Sequence, residues 1–366
     1  MKNRNIAFVM HRFTGGGAER ITITLANELS KRGYKITFLV KENNGDFNSS
    51  LSHDINVIEL GTSKYIFFKN LASQLRNYTE VFLVSLGMSF FTLLAKFFSN
   101  AKCRLFIVIH NTTSSEKIDH KKAKFFILRH LDYLVEKTIV VSNEARLDYI
   151  DSIGVKDEKT VTIYNPVVSR ELKEKMSVPL NLDEYKGLPI IVAAGRLTKQ
   201  KNYELMLKTF KEVLKKKDAY LLILGQGELE NALHNLSDQL NITDRVVFKG
   251  FEQNPYKYFY NADCFWMTSL WEGLPTVMIE AMACGCVPVS TNCKSGPKEI
   301  LEDGKYGILT SFEEDEISES IIGFLSGRFR FEKDEIIERS EVFNLENAVS
   351  KYVDLMEDYS NENIKK

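Results

Sequence analysis

The stretch Cys264-Phe265-Trp266-Met267, followed after four residues by Glu272-Gly273-Leu274-Pro275-Thr276-Val277-Met278-Ile279-Glu280, decides the class of fold. A short run without polar residues precedes a turn that contains glycine and proline, and an apolar helical stretch follows the turn. Continuous apolarity is typical of a parallel strand that is buried on both faces. The stretch therefore predicts a strand, a loop and a helix of a parallel α/β sheet.

The same alternation of strand and helix extends along the whole chain. The apolar runs are 6–10, 36–40, 57–60, 81–85, 105–109, 138–141, 161–164, 190–194, 220–224, 246–249, 264–267, 287–290 and 307–309. The pattern predicts two doubly wound, Rossmann-like domains at 1–170 and 188–344, with a charged linker at 171–187. A helix at about 345–366 is expected to pack back on the first domain. Ligands of such sheets bind beyond the carboxyl ends of the strands, so we expect a central cleft.

The charge of the chain is divided unevenly. Residues 1–170 contain 24 Lys and Arg and 16 Asp and Glu, a net +8, whereas the remainder has 48−24 = 24 basic and 49−16 = 33 acidic residues, a net −9. The first domain is therefore expected to face an anionic partner, and charge alone leaves an anionic membrane surface and nucleic acid open. Bases mixed with aromatics at 121–129 and the apolar run 90–98 favour the membrane, although a solvated helix face explains the first run equally well. No recognition motif supports nucleic acid.

The expected location is the cytoplasm, with peripheral attachment to the cytoplasmic face of the plasma membrane as a further expectation. No apolar run approaches the ~18 residues that span a bilayer, and residues 1–10 have the pattern of a strand rather than a signal peptide. The five cysteines are an odd number without framework spacing, which favours a reducing compartment. Cys284-Gly285-Cys286 lacks a second ligand pair, so we predict packing and no metal there.

The residues at 272–280 predict a phosphate site. A helix that begins near Thr276 presents free N–H groups and a positive dipole at the end of the preceding strand. Glu280 lies one turn further on the same face and can accept hydrogen bonds from a ribose diol, while Glu272 can accept from sugar hydroxyls. The alternative is a solvated loop and a surface helix, but the apolar neighbours of Glu280 predict burial.

Three further strand ends carry candidate residues. Arg196 and Lys201 follow the run 190–194 and can neutralise a diphosphate, although ordinary solvated charge is a sufficient interpretation for Lys199. The glycines of Thr14-Gly15-Gly16-Gly17-Ala18-Glu19 allow close backbone approach, but their spacing is neither a dinucleotide nor a P-loop fingerprint. His110 ends the run 105–109, where capping of the strand is an equally good interpretation.

Together these motifs resemble the family-4 retaining glycosyltransferases of the GT-B fold, in particular bacterial enzymes that build surface polysaccharides. The resemblance covers nearly the whole chain: the Gly-Gly-Gly-Ala-Glu loop at 15–19, the turn from Gly195 to Asn202, and Glu272-Gly273-Leu274-Pro275 with Glu280 eight positions on. Many members have Asn-Gly-Val-Asp where this chain has Asn165-Pro166-Val167-Val168. No role is therefore carried over to Asn165.

The resemblance implies a catalytic set and a donor-binding set. Arg196 and Lys201 would hold the diphosphate, Glu272 the donor sugar, and His110 would lie near the reacting face of that sugar. The implied donor-binding residues are Gly16, Gly17, Gly195, Gly225, Phe251, Gly273, Leu274, Pro275, Thr276 and Glu280.

The resemblance also implies the reaction. A hexose or N-acetylhexosamine would pass with retention from a nucleotide diphosphate sugar, by family habit a UDP-sugar, to a glycan or polyprenyl-diphosphate-linked acceptor of capsule, O-antigen or related polysaccharide synthesis. It implies no metal and no cofactor. A nucleotide-sugar 2-epimerase of the same architecture and a non-catalytic sugar-nucleotide-binding or membrane-scaffold subunit remain as alternatives.

Overall fold

The fold consists of two compact α/β units. A computed structural model describes residues 4–13, 16–45, 47–115 and 121–362. The first unit is formed by Met1–Pro166 with Leu345–Lys366, and the second by Val167–Asn344. Each of the thirteen predicted apolar runs overlaps a strand of the described chain, and every strand pairing is parallel. The predicted pair of parallel α/β sheets is confirmed.

The first unit contains seven strands in its described residues. They are β1 (Asn5–Met10), β2 (Lys35–Val40), β3 (Asn56–Glu59), β4 (Glu80–Leu83), β5 (Arg104–Ile109), β6 (Val135–Val140) and β7 (Thr160–Thr162). Their order across the sheet is β3-β2-β1-β4-β5-β6-β7. The helices are α1 (Gly17–Lys31), α2 (Lys64–Gln74), α3 (Leu86–Ser99), α4 (Lys121–His130), α5 (Asn143–Ile153) and, from the end of the chain, α14 (Leu345–Glu362).

This sheet is covered on both faces, which explains its continuous apolar strands. Ala7 and Val9 of β1 face a core that includes residues of α2, α3, α4 and α5. Phe8, between them, faces a second core that contains residues of α1 and α14. Successive side chains of a strand point to opposite faces, so a strand buried on both faces has no polar position to alternate with.

The second unit has six strands among the described residues. They are β8 (Ile190–Ala194), β9 (Tyr220–Leu224), β10 (Val246–Gly250), β11 (Cys264–Met267), β12 (Val287–Thr291) and β13 (Ile308–Thr310), in the order β10-β9-β8-β11-β12-β13. The helices are α6 (Arg170–Met176), α7 (Tyr203–Leu214), α8 (Glu230–Leu240), α9 (Tyr256–Asn261), α10 (Thr276–Ala283), α11 (Pro297–Ile300), α12 (Glu314–Leu325) and α13 (Lys333–Ser340).

The boundary between the units lies before the stretch predicted as a linker. The N–H groups of Val167 and Val168 donate to the carbonyl oxygen of Phe343 at 2.9 and 3.1 Å, which joins this segment to the second unit. The predicted linker 171–187 contains most of α6, whose first turn is capped by the side chain of Ser169. Its charged residues therefore form a short helix of the second unit rather than an open connection.

None of the described helices combines the length and the apolarity needed to span a membrane. The apolar helix α3 contains Lys96, whose amine donates to the carbonyl oxygens of Cys103 and Leu134 at 2.7 and 3.1 Å. This lysine therefore ties the helix to the loops before β5 and β6.

Candidate functional site

The loops that follow β8, β9 and β10 pack closely against one another. A Cβ atom on Gly225 would lie 2.0 Å from the carbonyl oxygen of Gly195, so only glycine permits this approach. The N–H of Gly225 donates to the carbonyl oxygen of Gly250 at 2.7 Å. Gly195 and Gly225 are thus explained by backbone packing, and their predicted contact with a donor stays a prediction.

Arg196 and Phe251 are presented to solvent at the ends of β8 and β10. Arg196 is exposed, and its guanidinium forms neither an ion pair nor a side-chain hydrogen bond with any residue of the described chain. Phe251 is 67% exposed. Strands β8 and β10 are separated only by β9. An uncompensated cation and an exposed aromatic ring at the ends of these two strands are suited to a ligand that carries negative charge and a flat face.

Lys201 and Glu272 form the central ion pair of this edge. The Nζ atom of Lys201 lies 2.7 Å from Oε1 of Glu272, and the two side chains are only 19% and 8% exposed. Strands β8 and β11 are neighbours, which brings the loops that follow them together. The two cations predicted to hold the diphosphate therefore have different surroundings: Glu272 compensates Lys201, whereas Arg196 has no ionic partner among the described residues.

Two polar residues hold this ion pair in place. The carboxamide nitrogen of Gln200 donates to the carbonyl oxygen of Trp271 at 2.8 Å, and the N–H of Leu270 donates to the carbonyl oxygen of Gln200 at 2.8 Å. The hydroxyl of Thr268 donates to the carbonyl oxygen of Lys201 at 3.1 Å. These hydrogen bonds fix the backbone at Lys201 and at Trp271, the residue before Glu272. The two side chains of the ion pair are therefore preorganised.

Tyr203 completes the buried surroundings of Glu272. Its hydroxyl is 3.4 Å from the carbonyl oxygen of Gly195. Burial raises the pKa of the Tyr203 phenol, and the carboxylate of Glu272 raises it further. The phenol therefore remains protonated and serves as a hydrogen-bond donor beside the Glu272 loop.

The loop of Lys294, Ser295 and Gly296, for which no role was predicted, supports the Glu272-Gly273-Leu274-Pro275 turn. The N–H of Glu272 donates to the carbonyl oxygen of Lys294 at 3.1 Å. Ser295 and Gly296 both have left-handed backbones, with φ of 65° and 99°. A Cβ atom on Gly296 would lie 2.3 Å from Cδ of Pro275. The Gly296-Pro297 dipeptide after β12 is the sequence signal that indicates this loop.

Helix α10 begins directly after Pro275, and its first turn contains no acidic residue. The N–H groups of that turn have no partners from a preceding helical turn. Glu280, one turn from Thr276, is 3% exposed. Gly273, Leu274 and Pro275 are buried at the approach to this helix. The structure therefore brings these predicted residues together with the Lys201–Glu272 pair, at the ends of β8 and β11.

The first unit carries the remaining candidates at the ends of its own strands. Gly16 is buried and precedes α1, while Gly17 is exposed and begins it. Thr14 and Gly15 lie outside the described residues. His110 directly follows β5, and β1 and β5 are separated only by β4. The glycine loop and His110 thus lie at the same edge of the first sheet.

The imidazole of His110 is held in its neutral form. Neither ring nitrogen forms a hydrogen bond of acceptable geometry with a described residue, although the side chain of Asn165 comes close enough to favour the charged form slightly. Burial dominates and lowers the pKa of His110 to about 4. A half-buried, neutral ring whose two nitrogens are shielded from water is suited to contact a hydroxyl of a ligand.

The shielded ring nitrogens of His110 predict a loss of stability in acid. As the pH falls below about 6.5, His110 becomes protonated in the unfolded chain but not in the folded chain. Proton binding therefore stabilises the unfolded state relative to the folded state. Wild type should therefore lose about 3 kcal/mol of unfolding free energy relative to His110→Gln between neutral pH and pH 4. Urea denaturation at a series of pH values, followed by circular dichroism, measures the difference.

Exposed His53 provides the control for that measurement. His53→Gln should follow the wild-type curve at every pH. A constant difference between wild type and His110→Gln over the whole range would show that the ring is solvated.

In the described part of the chain, no three Cys, His, Asp or Glu side chains lie together as a group that could hold a metal ion. The expectation that Cys284 and Cys286 bind no metal stays a prediction. Both thiols are buried. Burial raises the pKa of Cys284 to about 12 and that of Cys286 well above its usual value. Protonated thiols are poor nucleophiles, and the burial of these two is consistent with the predicted packing role.

The two parallel sheets and the loops at their carboxyl ends define the class of protein. A crystal structure of Anabaena HepE in complex with UDP and glucose has the same fold, with a TM-score of 0.83 over 97% of this chain and 100% of that chain, at 17% identity. A lipopolysaccharide outer core galactosyltransferase, WaaB, superposes with a TM-score of 0.76 over 96% of this chain and 99% of that chain, at 19% identity. The fold is GT-B.

The sequence comparisons identify the family. Residues 15–170 match the family described as Glycosyltransferase Family 4, and residues 179–341 match that described as Glycosyl transferases group 1. The chain is therefore a member of the glycosyltransferases, with a Glycosyltransferase Family 4 domain followed by a Glycosyl transferases group 1 domain. It is 28% identical over 329 residues to the N-acetylgalactosamine-N,N'-diacetylbacillosaminyl-diphospho-undecaprenol 4-alpha-N-acetylgalactosaminyltransferase of Campylobacter jejuni, which covers 85% of this chain and 87% of the relative. An uncharacterised glycosyltransferase of Methanocaldococcus jannaschii is 34% identical over 56% of this chain, and the match spans about half of that relative, 47%.

Proposed function

We propose that the protein is a retaining, metal-independent glycosyltransferase that moves a hexose or N-acetylhexosamine from a UDP-sugar to a lipid-linked glycan in bacterial surface polysaccharide synthesis. The observation that carries the proposal is the edge of the second sheet. There the exposed guanidinium of Arg196 has no partner among the described residues, close in the fold to the Lys201–Glu272 pair and the first turn of α10. A diphosphate needs both a cation and N–H donors.

The proposed roles follow from the charge of each group. Arg196 binds the diphosphate and stabilises the negative charge that grows on it as the sugar departs. Lys201 adds a second cation while orienting Glu272, whose other carboxylate oxygen accepts from a sugar hydroxyl. Glu280, buried one turn along α10, accepts from the ribose diol.

The sugar is transferred to the face from which the diphosphate leaves. The acceptor oxygen forms the new bond to the anomeric carbon as the bond from that carbon to the phosphate oxygen breaks. The proton of the acceptor hydroxyl passes to an oxygen of the departing diphosphate. The chain supplies positioning and charge stabilisation rather than a nucleophile.

The lipid-linked acceptor rests on the relatives. The Campylobacter jejuni enzyme is named for a diphospho-undecaprenol acceptor, and other relatives are named for amylovoran biosynthesis and for the lipopolysaccharide core. UDP as the nucleotide is supported by the Anabaena structure that holds UDP and glucose.

A nucleotide screen tests the proposal. Thermal unfolding is measured with UDP, GDP, ADP and CMP, and then with their sugars, each with and without EDTA. A ligand that binds only the folded chain raises the melting temperature. We expect selective stabilisation by UDP that EDTA leaves unchanged and that Glu280→Gln weakens, with release of UDP from the matching UDP-sugar when acceptor is present.

Three outcomes would contradict it. Stabilisation that EDTA abolishes would argue for a metal. Conversion of the UDP-sugar into its epimer without acceptor would identify a 2-epimerase. Binding without turnover of any donor, across undecaprenyl-linked acceptors, would identify a non-catalytic subunit.

A further inference from the structure

The segment that follows β5 forms a closed turn shortly after His110. The N–H of Ser115 donates to the carbonyl oxygen of Thr112 at 3.2 Å, which closes the turn. The side chains of Thr112 and Thr113 are fully buried. His110 lies two residues before the turn, so a displacement of the turn also displaces the imidazole.

Helix α5 starts at the same edge of the sheet and is firmly seated there. It begins at Asn143, just beyond the end of β6, and β6 is the neighbour of β5 in the sheet. The side chain of Ser142 caps its first turn by accepting from the N–H of Ala145 at 3.2 Å. Ala145, Tyr149 and Ile153 are buried in the core beneath the helix. The helix is therefore a fixed point to which the turn can be attached.

A buried carboxylate of α5 makes this attachment. Asp148 is 7% exposed, and its Oδ2 atom accepts from the N–H of Ser114 at 2.9 Å. In a turn closed by the N–H of its fourth residue, the N–H of the third residue has no partner within the turn. Ser114 is the third residue of the turn that begins at Thr112. Its N–H therefore needs a partner from outside the turn, and Asp148 supplies one.

The burial of Asp148 is unfavourable for the helix by itself. Aspartate is a weak helix former, and it is rarely buried unless it has a partner. Asp151, about one turn further along α5, is exposed instead. The burial of Asp148 is therefore explained by the turn that it holds rather than by the helix that carries it.

We propose that Asp148 is a positioning residue for the transfer reaction and that it acts through His110. Its carboxylate fixes the turn at Ser114 and thereby holds the preceding imidazole, whose shielded nitrogens are suited to contact a ligand hydroxyl. A displacement of about 1 Å in an active-site group can lower the rate about 100-fold. The inference rests on the proposed function, because the position of His110 has a consequence only if a sugar is transferred.

Two substitutions of similar size test the proposal. Asp148→Asn keeps an oxygen that can accept from the N–H of Ser114, whereas Asp148→Leu fills the same space and accepts nothing. UDP release from the donor identified by the nucleotide screen is measured with acceptor present, below the melting temperature of each variant. We expect Asp148→Leu to lower kcat by about 10- to 100-fold with the donor KM within about threefold of wild type, and Asp148→Asn to keep kcat within about threefold. A purely structural role would instead lower the melting temperature and leave kcat of the folded enzyme unchanged.

A double-mutant cycle determines whether the effect passes through His110. In the His110→Ala background, Asp148→Leu should lower kcat by less than about twofold, because the side chain that it positions is then missing. An equal loss in both backgrounds would overturn the proposal. If Asp148→Leu does not fold, Asp148→Ala replaces it in the cycle, because it removes the acceptor without adding apolar volume.

Asp151→Leu is the matched control, since it makes the same change at an exposed residue of the same helix. It should keep the kcat of wild type. Wild-type kcat in Asp148→Leu, or a loss in Asp148→Asn as large as in Asp148→Leu, would also overturn the proposal. A failure of the proposed function is distinguishable, because wild type itself would then release no UDP, whereas a failure of this inference is confined to the variants.

Discussion

Arg196→Ala is expected to lower kcat at saturating donor by about 100- to 1,000-fold, the effect of removing one donor to developing charge. Its guanidinium is exposed and has no ionic partner among the described residues, so the fold does not depend on it. The melting temperature without ligand should therefore stay at the wild-type value. The measurement is UDP release from the donor identified by the nucleotide screen, with acceptor present.

Lys199→Ala is the matched control, since Lys199 is an exposed cation in the same turn. It should retain turnover within a few-fold of wild type. Near-normal turnover of Arg196→Ala would remove this residue from the catalytic machinery. A comparable loss in both variants would mean that the turn acts only through its total charge.

Gly225→Ala is expected to destabilise the second unit by about 3 kcal/mol through overpacking and backbone strain combined. Its φ of 143° lies in a region used by glycine, and the added Cβ would overlap the carbonyl oxygen of Gly195. Urea denaturation followed by tryptophan fluorescence reports this unit alone, because both tryptophans, Trp266 and Trp271, belong to it.

Gly187→Ala separates the clash from the backbone conformation. Gly187 also has a positive φ, 69°, but a Cβ there would meet nothing within 4 Å. Gly187→Ala should lower the free energy of unfolding by only about 1 kcal/mol, the cost of holding a residue other than glycine in the left-handed conformation. If Gly225→Ala cost no more than this control, the loops after β8 and β9 would not be in the close contact described.

The strands could be predicted because burial on both faces leaves a strong local signal. The run 105–109 has no polar residue and becomes β5, Arg104–Ile109. The signal is weaker where a helix is short and charged. Helix α6 lies in the stretch predicted as a linker, and its stability depends on the Ser169 cap and on packing that periodicity does not reveal.

The site was predictable where a motif follows a strand and unpredictable where two distant segments meet. Arg196 and Glu280 could be selected from their position after an apolar run. The ion pair of Lys201 and Glu272 joins residues 71 positions apart, so no local pattern indicates it. The left-handed pair Ser295 and Gly296 likewise owes its conformation to contact with Pro275.

The docking of α14 on the first sheet has a consequence for the order in which the chain folds during synthesis. Val349, Tyr352 and Met356 belong to the same core as Phe8 and Phe82, and the guanidinium groups of Arg4 and Arg104 donate to the carbonyl oxygen of Met356. Residues 167–344 separate these parts, and at ~5–20 residues per second their translation takes roughly 10–40 s.

During that interval the ribosome holds a first sheet whose α1 face is only partly covered. The second unit is continuous in sequence and is complete as soon as Asn344 emerges. The half of the molecule that is translated first is thus the half that finishes folding last. The apolar face that α14 covers therefore stays exposed to solvent until the last helix of the chain has been translated.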